Sequence, residues 1–246
     1  MLEVEISPLV AAAVVATSLV AALIGGVTGM STGIIAIPIL IFAFGIRLAV
    51  PIVTVAMLLN TLSRSVANRD YVDWRVARWY SLGAVPAAAI GGVVFANIPT
   101  DWLARALGVF LLALVVYRHI PLLAGRAMPL RAFLPVGIGQ GFFSALFGGA
   151  GPFGAHFFMA YGLTKNAFVG TVAVGTFLVS IVKTVVYGGF SLFTMETFLI
   201  AVGIGLIMAV GAYAGAHIVK HVPERLFIYA VEFFMIVSGL LLLATG

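Results

Sequence analysis

The chain has 246 residues, 63% of them hydrophobic and only 9% charged, with a net charge of +5 and no cysteine. Soluble domains carry about 25% charged residues to cover their surface, so this composition excludes a water-soluble globular chain and fits one that dissolves in lipid. The missing cysteines remove disulfides, thiolate chemistry and Cys-type metal sites, and the scattered basic residues leave no nucleic-acid footprint.

The chain opens on Met1-Leu2-Glu3-Val4-Glu5, which is acidic, and no small-residue cleavage site follows a short apolar core. A secretory leader opens with positive charge, so the first apolar run is expected to stay as a span. Crossing the hydrocarbon takes roughly 20 mostly apolar residues. Full-length candidates fall near 8–27, 48–67, 77–96 and 102–122 in a first half, 1–122. A second half, 123–246, holds candidates near 131–148, 166–188, 195–219 and 225–245. Two apolar pieces, 33–45 and 152–163, are too short to cross unaided, and each follows a glycine cluster. The expected fold is an all-α polytopic membrane protein with eight full spans and two short broken or re-entrant helices.

Lys and Arg gather in short cytoplasmic loops. The stretch 64–78 holds Arg64, Arg69, Arg75 and Arg78; 118–131 holds Arg118, Arg126 and Arg131; Lys220 and Arg225 mark a third basic loop. The segments 97–101 and 188–196 carry no Lys or Arg and suit the outer side. The assignments alternate if each short piece returns the chain across the membrane, which places both termini outside a cell inner (plasma) membrane. Arg47 is the exception, a cation on the outer side.

The two halves resemble one another. An offset of 118 pairs Gly33-Ile34 with Gly151-Pro152 and Arg47-Leu48-Ala49 with Lys165-Asn166-Ala167. Later the offset is 124, pairing Gly91-Gly92 with Gly215-Ala216 and Ile98-Pro99 with Val222-Pro223. Five segments per half is an odd number, so the second copy is expected upside down relative to the first. Inverted repeats of this kind build many secondary transporters.

The stretches from Gly25 to Gly33 and from Gly148 to Pro152 interrupt apolar sequence at corresponding places. Irregular backbone at membrane depth persists only when buried in protein or lining a wet cavity. Each break is expected to end one helix and start a short one, whose free N–H groups and partial positive charge suit an anion. The expected binding groups are Gly29, Ser31, Thr32 and Gly33 at the first break and Gly149, Gly151 and Pro152 at the second. Backbone amides of Ser31 to Ile34 and of Gly149 to Phe153 would do most of the gripping. Glycines that only allow tight helix packing are the alternative.

Polar residues inside a membrane are costly and often functional. Asn60 and Gln140 are candidate lining groups, Thr171 and Thr176 candidate hydroxyl donors, and His156 either an anion ligand or a proton carrier. Glu232, two turns into the last span, is the other coupling candidate. Helix packing is the alternative for Asn60, His156 and the threonines, and pairing with His217 or a backbone group is the alternative for Glu232. Lys183, about one and a half turns from the outer end of its span, could attract an anion, but snorkelling to the surface is the expected reading. Gly29-Met30-Ser31-Thr32-Gly33 also reads as a nucleophile-elbow pattern, but that motif needs a strand-to-helix turn and no strand pattern precedes it. The chain is therefore read as a non-enzyme with no catalytic residue, cofactor or metal. Its partners are a small anionic substrate and the lipid bilayer, with a homo-oligomer left open and nucleic acid excluded.

The glycine run leading into a Pro-containing piece, Gly29 to Pro38, and its looser counterpart Gly148 to Pro152 resemble the pattern of the sulfite exporter TauE/SafE family, also called the toluene sulfonate uptake permease family. Gly170-Thr171 and the turn Tyr71-Val72-Asp73-Trp74 are similar to further elements of that family. Ser31-Thr32 interrupts the first glycine run, and His156 stands at the position paired with Pro38. The resemblance implies a permease for sulfite, organosulfonates or related sulfur-containing anions, working by alternating access. An anion channel and, more remotely, an intramembrane serine protease are the competing readings.

Overall fold

The computed structural model describes residues 7–29, 32–119, 128–163, 165–218 and 224–245. Among them the regular structure is entirely helical. Ten α-helices run in chain order: α1 (Pro8–Thr28), α2 (Thr32–Phe44), α3 (Ile46–Ala67), α4 (Trp74–Asn97), α5 (Thr100–His119), α6 (Phe133–Phe147), α7 (Gly151–Ala160), α8 (Lys165–Gly189), α9 (Met195–Ile218) and α10 (Glu224–Thr245). Seven of these are long and apolar enough to cross a bilayer: α1, α3, α4, α5, α8, α9, and α6 with the 3-10 turn before it. The expected span 225–245 is helical as α10, with an apolar stretch at Met235–Ala244. Large apolar side chains such as Leu9, Phe42, Leu82, Val185 and Val210 lie exposed on the outer faces, as a chain solvated by lipid requires.

Local chemistry explains where the helices begin. Pro8 sits in the first turn of α1, behind Ser7, whose hydroxyl accepts from the Val10 amide at 3.4 Å. Asp73 caps α4, accepting from the amides of Arg75 and Val76 at 2.9 and 3.1 Å. That cap starts α4 three residues before the expected 77 and puts Arg75 and Arg78 on the helix instead of in a loop. Likewise α3 begins at Ile46, so Arg47 belongs to its first turn. Arg47 donates to the carbonyls of Phe95 (2.7 Å), Ala96 (3.2 Å) and Ile98, and to the Thr100 hydroxyl (3.3 Å). A cation against the C-terminal carbonyls of α4 is favourable, and this accounts for the one arginine that the charge bias left on the wrong side.

The buried body is assembled by small residues. α4 lies directly on α6, where a Cβ at Gly137 or Gly141 would stand 2.2 Å from the carbonyl oxygen of Tyr80 or Ala84. α1 lies on α9 in the same manner, with Gly215 against the Leu23 carbonyl and Gly26 against that of Ala212. α3 packs on both α8 and α9, and α4 on α8. α5 and α10 pack chiefly on each other. Glycine at such contacts lets backbones approach where lipid offers no hydrophobic drive. Part of the first glycine cluster is therefore packing material: Gly26 meets α9, and Gly25 leaves room for the Thr32 side chain.

A candidate anion site where two helix breaks meet

α1 and α6 end in the same way. Gly29 (φ 79°) and Gly148 (φ 76°) both take the left-handed conformation that closes a helix and that side chains with a Cβ resist. The short helices α2 and α7 follow, α7 carrying Pro152 in its first turn, where the missing N–H costs nothing. The two breaks come together in space: a Cβ at Gly33 would lie 3.2 Å from the Gly148 carbonyl oxygen, and one at Gly149 would lie 3.4 Å from the Ile34 nitrogen. At their junction lies a cavity of about 30 Å³, more than the roughly 10–15 Å³ that one ordered water needs. Gly29, Gly33, Ile34, Gly148, Gly149, Ala150 and Gly151 form its backbone wall.

Two buried cations line the same cavity, Arg64 on α3 and Lys183 on α8. The expected placements were a cytoplasmic loop for Arg64 and a snorkelling stem for Lys183; the structure corrects both. Arg64 is 4% exposed and Lys183 1%. Arg64 donates to the carbonyl of Gly29, the residue that closes α1. Lys183 donates to the Ser144 carbonyl at 3.2 Å and its hydroxyl at 3.1 Å, in the last turn of α6. Each cation thus sits at the negative end of a helix dipole. That contact explains why neither reaches for the surface: the carbonyls of the broken helices offer the acceptors that a buried charge needs.

The carbonyls do not exhaust the polar capacity of the walls. Arg64 Nε, Gln140 Oε1 and Ser180 Oγ, all on residues at least nine-tenths buried and lining the cavity, have no hydrogen-bond partner among the described residues. Met57, Tyr80, Val172 and Val179 form the apolar side, and no carboxylate lines the cavity among the described residues. A buried cavity with two cations, unpaired donors and first-turn residues of two short helices in its wall is electrostatically matched to an anion.

The expected site residues divide. Gly29, Gly33, Gln140, Gly149, Gly151 and Thr176 line the cavity, Thr176 with its hydroxyl already given to the Val172 carbonyl at 2.8 Å. Ser31 lies outside the described residues. Thr32 is buried at the start of α2 beside Gly25, and Pro152 is buried in the first turn of α7. Neither is among the cavity-lining residues. The Phe153 amide, expected to face the ligand, bonds the Ala150 carbonyl at 3.2 Å instead. Asn60 reaches across to the Met208 carbonyl at 3.0 Å and ties α3 to α9. Thr171 accepts from the Asp73 amide at 2.9 Å, securing the start of α4. His156 packs edge-on to Tyr117, with ring centroids 5.6 Å apart. Glu232 on α10 faces His119 on α5 at 3.9 Å. These four are built into helix contacts away from the cavity walls.

Sequence reasoning missed Arg64, Ser144 and Ser180, and for Lys183 it favoured snorkelling over anion attraction. One signal could have found the cations: Arg64 and Lys183 are separated by 119 residues, the same interval that separates Gly29 from Gly148. No curated protein and no solved structure matches the chain. The family described as Sulfite exporter TauE/SafE matches over residues 14–242, a membrane transporter family for sulfite and related sulfur anions. The match takes in every helix from α1 to α10 and the whole of the cavity wall, and the chain belongs to the sulfite exporter TauE/SafE family.

Proposed function

We propose that the protein is a secondary transporter for sulfite, an organosulfonate or a related small sulfur-containing anion, with the cavity between the two helix breaks as its binding site near the membrane midplane. The observation that carries this reading is the pair of buried cations, Arg64 and Lys183, on one cavity that lacks carboxylates among the described residues. Charge at depth is expensive and is retained where function uses it. Alternating access then amounts to two inverted halves, 1–122 and 123–246, moving against each other around this site.

Several features support the inverted arrangement. The left-handed glycines come in pairs, Gly29 with Gly148 and Gly45 with Gly162. The starts of α2 and α7, and of α3 and α8, are each 119 residues apart, one more than the interval read from sequence. Exchanging the halves maps the α4–α6 contact onto α9–α1 and α3–α9 onto α8–α4, while α3–α8 and α5–α10 map onto themselves. On this reading the basic stretch around Arg69 faces the cytoplasm and the 97–101 and 188–196 segments face outward.

Reconstitution in liposomes with radiolabelled sulfite or a sulfonate tests the proposal. Saturable uptake is expected, with countertransport or dependence on a second ion, neither of which a channel shows. Gly33→Val and Gly151→Val should each lower flux at least tenfold while the protein still elutes as a single folded species. Normal flux in both variants would remove the breaks from the mechanism.

A further inference from the structure

We infer that the cavity takes its cargo as a doubly charged oxyanion, the second charge being read by Lys183. The inference rests on the transport reading above and assigns the charge state of its substrate. Arg64 and Lys183 lie on one small cavity, and among the described residues each donates to helix-terminal oxygens: that of Gly29 for Arg64, and the carbonyl and hydroxyl of Ser144 for Lys183. The C-termini of α1 and α6 bring about half a negative charge each and the N-termini of α2 and α7 about half a positive charge each, so the helix ends offset one another at the cavity and both side-chain charges remain. Asp and Glu are missing from the walls among the described residues. A monoanion leaves one buried positive charge without a counter-charge, and an unpaired charge in a low-dielectric site is strongly disfavoured. A dianion answers both.

The polar lining agrees with such a cargo. The Nε–H of Arg64 and the hydroxyl of Ser180, on cavity-lining residues more than nine-tenths buried, have no hydrogen-bond partner among the described residues. Arginine keeps its charge and presents a planar fork suited to oxyanions, whereas lysine is a compact point charge. The first therefore fixes orientation and the second adds charge without demanding one geometry. The cavity's volume of about 30 Å³ restricts this to compact oxyanions with few heavy atoms.

Sulfate and methanesulfonate make the test clean, because they are nearly the same size and shape and hold fixed charges of −2 and −1. Both would be titrated as competitors of radiolabelled sulfite uptake by the full chain in liposomes, and as stabilisers of the purified protein in thermal unfolding. Sulfate is expected to act at a concentration at least tenfold lower than methanesulfonate in both measurements. Lys183→Gln should bring the ratio close to one, and Lys183→Arg should restore it. Equal potency of the two anions on the unmodified protein would overturn the inference without any variant. So would an unchanged ratio in a folded Lys183→Gln protein. Stabilisation that favours sulfate, in a protein that moves no sulfite, would support the charge assignment and sink the transport reading alone.

Discussion

Arg47, Arg64 and Lys183 show how a cation earns a place inside an apolar chain. All three are held by carbonyl oxygens at the C-terminal ends of helices, those of α4, α1 and α6 respectively. The difference between them lies in what else is near. Arg47 is spent on the carbonyls of Phe95, Ala96 and Ile98 and on Thr100, and its guanidinium carbon stands 5.7 Å from the centre of the Phe95 ring. Arg47→Gln is therefore expected to cost roughly 2 kcal/mol, the scale of a hydrogen bond to a charged group, seen as a lower unfolding temperature in detergent. Anion selectivity should not change, and a shift in selectivity would place Arg47 in the binding machinery. Arg64 and Lys183 keep capacity toward a cavity. Sequence alone could not separate these cases, because position within an apolar run does not reveal which helix end lies opposite. A long basic stem near the end of a span is as compatible with snorkelling as with burial.

At the scale of elements, the breaks were the legible part. Glycine clusters inside apolar sequence, followed by pieces of 13 and 10 residues as α2 and α7, are visible in composition and length. Helix starts were less legible: the Asp73 side chain caps α4 and pulls its start forward, whereas α3 begins at Ile46 behind Gly45 with no side-chain cap. The polar residues misled most. Asn60, Thr171 and Glu232 each have a partner far along the chain, Met208, Asp73 and His119, and a polar side chain at depth takes whichever acceptor or donor is closest. Those partners are 148, 98 and 113 residues away in the chain, far beyond what a local pattern can expose. Of the expected lining groups, the glycines and Gln140 reached the cavity because they belong to the breaks themselves or to the helix that leads into one.

For the whole molecule, the absence of native cysteine makes orientation directly measurable. Asp70, exposed in the turn between α3 and α4, and Asn97, exposed at the end of α4, sit at opposite ends of one span. With Asp70→Cys, a membrane-impermeant thiol reagent applied to intact cells is expected to leave the protein unlabelled until the membrane is opened. Asn97→Cys should label at once, and the reverse result would invert the assigned topology. The wall chemistry also has an electrical consequence. On the proposed reading, a dianion aboard offsets the two positive side chains and the laden protein reorients nearly neutral. The unladen protein has to swing those charges through the field, where 100 mV is worth about 2.3 kcal/mol per full elementary charge. On that reading a negative cell interior draws the vacant site toward the cytoplasm, which favours export. Vesicles clamped with a potassium diffusion potential should accordingly discharge sulfite faster when their interior is negative.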